Sequence, residues 1–119
     1  MKKIEAIIRT SKFEEVKEAL HKIDIDFFTY SDVVGVGNEI KRSDKTYRGT
    51  VYDTSYISRQ ELKIVVRDVN LQKTIDCLLD TAYTGEVGDG RIFVTTIDEA
   101  WKIRTRTNGD DSLKSDAGK

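Results

Sequence analysis

The sequence predicts a single α+β domain in which a four-stranded antiparallel sheet carries both helices on one face. Stretches typical of strands and helices follow one another in the order β-α-β-β-α-β within 119 residues, a length that suits one domain. The two halves of the chain also echo each other, because Ile4 to Arg9 matches Leu62 to Arg67 and the apolar positions of the two predicted helices keep a constant register. Two βαβ halves in tandem form the ferredoxin-like split motif.

The first half supplies a strand, a helix and a second strand. Residues 3–9 are β-branched and mostly apolar, which is typical of a buried strand. Ser11 and Glu14 have capping-box spacing, which predicts a helix starting there. Aromatic and β-branched residues from Phe27 to Val36 predict the second strand. The apolar stripe of this first helix recurs at helical spacing and consists of Phe13, Val16, Ala19, Leu20 and Ile23.

The second half repeats the pattern. Ile57 to Val66 predicts the third strand, and a helix capped by Asp68 or Asn70 follows it. Residues 91–97 predict the fourth strand, and beyond residue 107 small and charged residues predict a disordered tail. The predicted division is therefore a domain over residues 1–107 and a polar tail over 108–119. The buried stripe expected for the second helix consists of Leu71, Ile75, Leu78, Leu79 and Ala82.

Composition excludes several classes of function. The formal net charge is only -1, so no global positive field attracts nucleic acid. No apolar run approaches the roughly 18 residues of a membrane span, and we expect a cytoplasmic protein without membrane insertion. Cys77 is the only cysteine and His21 the only histidine, which argues against disulfide frameworks, zinc clusters and imidazole chemistry. The uncovered sheet face predicts a homo-oligomer.

Glycines cluster after the second helix, between Thr84 and Val94. Gly88 and Gly90 permit positive φ, so that successive N–H groups can face one anion, and Arg91 would add an always charged partner. The same pattern is typical of a helix cap at Gly85 followed by a tight turn. Spacing alone leaves the phosphate cradle and the turn open.

The region of about residues 38–57, between the second and third strands, is polar and lacks periodicity. A connection of this length is usually functional or disordered, and tyrosines on an exposed loop favour a role in recognition. A long hairpin whose tyrosines pack across strands is the alternative.

Four stretches in combination resemble the PII nitrogen-regulatory signal proteins: residues 2–9, Tyr47–Gly49, Thr84–Val94 and Ile103–Thr105. The resemblance runs in order over residues 1–107. It implies a homotrimer of ferredoxin-like subunits that binds ATP or ADP in the clefts between neighbours, with residues 38–57 as the effector loop. The implied protein is a regulator and not an enzyme, and its partners would resemble an ammonium transporter or a nitrogen-metabolism enzyme or transcriptional regulator.

The resemblance also assigns a nucleotide site around a phosphate loop at residues 84–91. Thr29 and Val65 would contact the base, mostly through the backbone. Lys102 and Arg104 would reach the phosphates from the adjacent subunit. The full set of implied nucleotide-binding residues is Thr29, Gly35, Gly37, Asn38, Val65, Gly88, Asp89, Gly90, Arg91, Lys102 and Arg104.

Three positions in the effector loop or at its base concern the binding of effectors or covalent modification. Glu39 replaces the glutamine that holds magnesium beside 2-oxoglutarate in the family. Its carboxylate suits Mg²⁺ but repels a dicarboxylate, so the sequence leaves 2-oxoglutarate sensing open. Arg59 replaces the lysine that pairs with the distal carboxylate of that ligand, and its forked guanidinium suits the same contact. Tyr52 occupies the place of a tyrosine that some members have nucleotidylylated.

A second class of function uses the same glycine-rich site, namely a small enzyme of phosphate-ester or acyl-phosphate chemistry. That chemistry needs a base or nucleophile, and the pattern around Arg91 supplies neither. An RNA-recognition module would need an aromatic RNP signature, which the sequence lacks. The residues therefore favour the regulator.

Overall fold

The computed structural model describes residues 1–36 and 56–115. A strand, a helix and two further strands come first, followed by a second helix and a fourth strand, and a two-stranded hairpin closes the order. Their bounds are β1 Lys2–Arg9, α1 Phe13–Lys22, β2 Thr29–Val36, β3 Tyr56–Val66, α2 Asp68–Ala82, β4 Arg91–Thr96, β5 Trp101–Lys102 and β6 Thr107–Asn108. Two short 3₁₀ helices cover Thr10–Lys12 and Gly109–Leu113.

The main sheet has the strand order β2-β3-β1-β4, and all its neighbouring strands are antiparallel. This is the ferredoxin-like arrangement, so the predicted fold class is confirmed. The register defines two ends of the sheet. At one, the Arg9 end, Arg9 pairs with Arg59; at the other, the Met1 end, Lys2 pairs with both Val66 and Thr96.

One face of the sheet packs against both helices. Alternate residues of β1 and β3 point into this layer, because successive side chains of a strand lie on opposite faces. The buried hydrophobic residues are Ile4, Ala6, Ile8, Val16, Leu20, Ile25, Leu62, Ile64, Val66, Leu78 and Ala82. This list confirms the period-two pattern of the third strand. Most of both helical stripes is also confirmed, because Phe13, Ile23, Leu71 and Ile75 pack against this core from partly buried positions.

Neither helix start uses the side-chain cap that the sequence predicts. Helix α1 begins at Phe13, after the 3₁₀ turn that contains Ser11, and no side chain caps it. The capping-box prediction is wrong because Ser11 lies within the 3₁₀ turn and Lys12, not Ser11, is the N-cap of α1. Helix α2 has Arg67 at its N-cap without a side-chain hydrogen bond, and the Asp68 carboxylate instead lies 2.9 Å from the Met1 ammonium.

Two positions of α2 differ from the predicted buried stripe. Leu79, expected in the buried stripe, is 56% exposed, whereas Thr74 is fully buried. The Thr74 hydroxyl donates to the Asn70 carbonyl at 2.7 Å, which satisfies its polar atom inside the core.

Part of the predicted tail is ordered. Residues 107–108 pair with β5, and the following 3₁₀ helix runs to Leu113. The disorder predicted from residue 108 is wrong for these residues because long-range contacts hold them. The Gly109 N–H donates to the Ala100 carbonyl at 2.9 Å, and Arg67 Nε lies 3.4 Å from a carboxylate oxygen of Asp110. Residues 116–119 lie outside the described residues.

We expect His21 to make stability depend on pH near neutrality. Its Nδ1 lies 2.5 Å from a carboxylate oxygen of Asp26, and this hydrogen bond raises the pKa of His21 above its usual 6.5. Because the pKa of His21 is higher in the folded state, protonated His21 stabilises the fold. This stabilisation is fully present below pH 6.5 and is lost as pH rises through the folded-state pKa. Urea unfolding at pH 5.5 and pH 8 should show this loss in the wild type. His21→Gln should reduce the difference; an equal difference in both proteins would contradict the prediction.

Candidate functional site

The glycine-rich segment after α2 forms a loop with three left-handed glycines. Helix α2 ends at Ala82, and Gly85, Gly88 and Gly90 have φ of 88°, 103° and 101°. A Cβ built on Gly90 would lie 1.7 Å from the Ile7 carbonyl oxygen. Gly90 therefore passes against the backbone of β1, at a distance that excludes any side chain.

The Asp89 carboxylate closes this loop on itself. One oxygen accepts from the Thr84 hydroxyl at 2.5 Å and from Arg9 Nε at 3.0 Å, and the other accepts from the Thr84 and Gly85 N–H groups at 2.8 and 2.9 Å. The hydrogen bonds from Thr84, followed by those from Arg9 and Gly85, hold the pKa of Asp89 well below its usual range. Asp89 is therefore ionised at neutral pH.

Two arginines on neighbouring strands hold the loop to the sheet. Arg9 ends β1 and Arg59 faces it on β3. Arg9 Nη2 donates to the Val87 carbonyl at 2.9 Å, and Arg59 Nη2 donates to the Gly88 carbonyl at 3.0 Å. Arg91 opens β4 opposite Ile7 and is exposed. Arg9 and Arg59 thus contact the loop and Arg91 follows it directly in the chain, which places positively charged residues at and beside the loop, a setting suited to an anion.

The sequence-predicted site residues fall into two groups at opposite ends of the sheet. Gly35 faces Ile57, so it lies with Arg59 and the glycine loop at the Arg9 end. Val65 lies six positions beyond Arg59 along β3, and the rise per residue of a strand places these two residues about 20 Å apart. Thr29, which pairs with Lys63, lies beside Val65 at the Met1 end. Within one chain, the residues predicted to contact the base therefore lie far from those predicted to contact the phosphates.

Lys102 and Arg104 belong to the Met1 end as well. Ile97, which follows β4, donates its N–H to the Met1 carbonyl at 3.0 Å, and this contact directs the β5–β6 hairpin to that end. Lys102 Nζ donates to the Lys114 carbonyl at 2.7 Å. The residues predicted to come from an adjacent subunit are thus distant from the glycine loop of their own chain.

Several predicted residues lie outside the described residues: Gly37, Asn38, Glu39 and Tyr52. The same holds for nearly all of the predicted effector loop, since β2 ends at Val36 and β3 begins at Tyr56. Within residues 1–36 and 56–115 no group of three or more His, Cys, Asp or Glu side chains could hold a metal ion. The described helices include none that is long and apolar enough to cross a membrane.

Comparison with known proteins identifies the family. A family model described as nitrogen regulatory protein P-II matches residues 1–107. The chain belongs to the nitrogen regulatory protein P-II family. Among its relatives are the nitrogen regulatory proteins P-II of Azospirillum brasilense, 39% identical, and Rhodospirillum rubrum, 40% identical, each over 95% of this chain and 100% of the relative. Nitrogen regulatory protein P-II 1 of Methanothermobacter thermautotrophicus is 41% identical over 95% of this chain and 97% of its own.

The structure adds features of this P-II subunit that the sequence did not reveal. Arg9 and Thr84 hold Asp89 in the loop, although Arg9 and Asp89 are 80 positions apart. An apolar cavity of about 400 Å³ lies between α2 and β4, lined among others by Ile75, Leu79 and Val94. Local pattern contains no signal for either feature, because both depend on which strands become neighbours.

Proposed function

We propose that this P-II protein is a non-enzymatic regulator that binds ATP or ADP in clefts between subunits and passes the signal on through residues 38–57. The observation that carries the proposal is the glycine loop with Arg9, Arg59 and Arg91 at and beside it. A loop with three left-handed glycines and adjacent guanidinium groups suits the phosphates of a nucleotide. Membership of the P-II family supports the regulatory role.

The separation of the two groups of site residues supports a site shared between subunits. The phosphate-side residues lie at the Arg9 end, whereas Thr29, Val65, Lys102 and Arg104 lie at the Met1 end. A head-to-tail contact would bring the Arg9 end of one subunit to the Met1 end of the next. We therefore assign the base contacts, like the basic pair, to the neighbouring subunit.

The two edges of the sheet differ in a way that suits such a contact. Edge strand β2 exposes Tyr30, Val34 and Val36, and the other edge strand, β4, borders the apolar cavity. A contact between unlike surfaces repeats around an axis and closes into a ring when the rotation permits. The proposed ring is the homotrimer implied by the family resemblance, and native mass spectrometry would test it by showing three chains.

The effectors and partners follow from the same proposal. Mg²⁺ would accompany ATP at Glu39. The Glu39 carboxylate would repel 2-oxoglutarate, whereas Arg59 would attract the distal carboxylate of that ligand, so its binding stays open and is tested below. The partners would be an ammonium transporter or a nitrogen-metabolism enzyme or regulator in the cytoplasm, and Tyr52 would be a site of modification.

Calorimetric titration tests this function. ATP with magnesium is titrated into the protein with and without saturating 2-oxoglutarate. Tighter ATP binding in its presence would establish a protein that senses both carbon and energy, because linked binding is reciprocal. ATP binding without any effect of 2-oxoglutarate would leave an energy sensor. Absence of nucleotide binding would contradict the proposal, and ATP turnover well above background would favour the phosphate-ester enzyme.

Arg91→Ala is expected to weaken ATP binding about tenfold or more, because a charge-assisted hydrogen bond contributes about 1.5–3 kcal/mol. Lys114→Ala is the matched control. It also removes one cation, but from the tail, where the Lys114 ammonium lies 3.1 Å from the nearby Asp111 carboxylate. Equal affinities of the two variants in calorimetry would rule out Arg91 as a phosphate contact.

A further inference from the structure

The Asp89 carboxylate has no free capacity for a ligand. A carboxylate offers about four acceptor positions, and here two oxygens accept four hydrogen bonds, all from the loop itself and Arg9. Its negative charge would also repel a phosphate group. Asp89, which the sequence predicts as a nucleotide contact, therefore has a different role in the same loop.

Arg9 connects this closed loop to the sheet. Its guanidinium group bridges Asp89 and the Val87 carbonyl, so one side chain fixes two points of the loop. The residue itself is rigidly placed, because it ends the central strand β1, which pairs with both β3 and β4. The side chain of Arg9 is 27% exposed and that of Asp89 24%, so the contact is partly shielded from water.

We propose that Arg9 and Asp89 form a positioning pair that holds residues 84–90 in the conformation that receives phosphate, an inference that rests on the function proposed above. The pair acts through the loop and does not contact the nucleotide. Glycines make the loop backbone permissive, and a permissive loop must be held in place before it binds. Loss of either partner leaves the other without its ion pair. Loss of Arg9 also frees the Val87 carbonyl, and loss of the Asp89 carboxylate frees the N–H groups of Thr84 and Gly85.

A double-mutant cycle on ATP affinity tests the pair. Asp89→Asn, Arg9→Ala and the double variant are titrated with ATP and magnesium by calorimetry. Each single change should weaken binding about tenfold, and the double variant should bind about as weakly as the weaker single one, because coupled residues are not additive. If the fold-losses of ATP affinity in the two single variants multiplied in the double variant, the proposed pair would be overturned, since Arg9 would then act on the phosphates independently of Asp89. Wild-type affinity in Asp89→Asn would overturn it as well.

Asp80→Asn is the matched control for charge. It makes the same chemical change at an exposed position of α2, outside the loop, and should change ATP affinity less than about twofold. If Asp89→Asn does not fold, Thr84→Val takes its place, because it removes one donor to the carboxylate and keeps the charge. An equal loss in Asp80→Asn and Asp89→Asn would overturn the proposal in favour of simple electrostatics.

A second readout needs no nucleotide. Amide hydrogen exchange by NMR should be at least about fivefold faster at Thr84 and Gly85 in Asp89→Asn than in Asp80→Asn, since both N–H groups lose their charged acceptor. Unchanged exchange would overturn the pair. If the wild type binds no ATP, the proposed function fails, and the exchange rates alone then decide whether Arg9 and Asp89 position the loop.

Discussion

Replacing Gly90 with alanine is expected to abolish measurable ATP binding and to lower the free energy of unfolding by about 3 kcal/mol or more. The added Cβ would lie 1.7 Å from the Ile7 carbonyl oxygen, where no methyl group fits. The loop or strand β1 must therefore shift, and either movement separates the loop from Arg9. Calorimetry with ATP and urea unfolding of the variant measure the two effects.

Gly109→Ala separates this steric effect from backbone strain. Gly109 also has a left-handed φ, 80°, but a Cβ there meets nothing within 4 Å. Only the conformational cost of about 1–2 kcal/mol remains, and ATP binding should be retained. If Gly109→Ala lost as much stability as Gly90→Ala, the contact with Ile7 would not be the cause.

The sequence predicts most of this fold because its determinants are local. Alternation of Leu62, Ile64 and Val66 indicates a strand with one buried face, and all three are buried. The order of the elements then limits the topology, since two βαβ halves share few arrangements. The predicted cap of α2 was wrong because the contact made by its carboxylate is not local. The Met1 ammonium that engages Asp68 is brought there by strand pairing, which no capping rule includes.

The site was less predictable than the fold for the same reason. Three glycines and Arg91 are visible in sequence, and their positive φ follows from their chemistry. The contacts that hold the loop depend on strand register, because Arg9 reaches Asp89 only where β1 ends beside the loop. A short acidic residue between glycines is equally typical of a turn and of a ligand contact. Only the structure shows that its hydrogen bonds all lie within the protein.

Leu78→Ala is expected to lower the free energy of subunit unfolding by about 3 kcal/mol, a typical cost for a buried leucine. Leu78 is 1% exposed and lies in the core between α2 and the sheet. Truncation leaves a cavity that the packed strands do not fill. Urea unfolding monitored by circular dichroism measures the loss.

Leu79→Ala removes the same atoms from the next position and should cost less than about 1 kcal/mol of subunit stability, because Leu79 is 56% exposed at the wall of the apolar cavity. Its effect should instead fall on assembly: if a neighbouring subunit covers this cavity, the variant dissociates into single chains at a higher protein concentration than the wild type. Equal losses for both leucines, independent of concentration, would contradict both the placement of Leu79 outside the core and its role at a subunit contact. The two adjacent leucines thus separate the stability of the subunit from that of the ring.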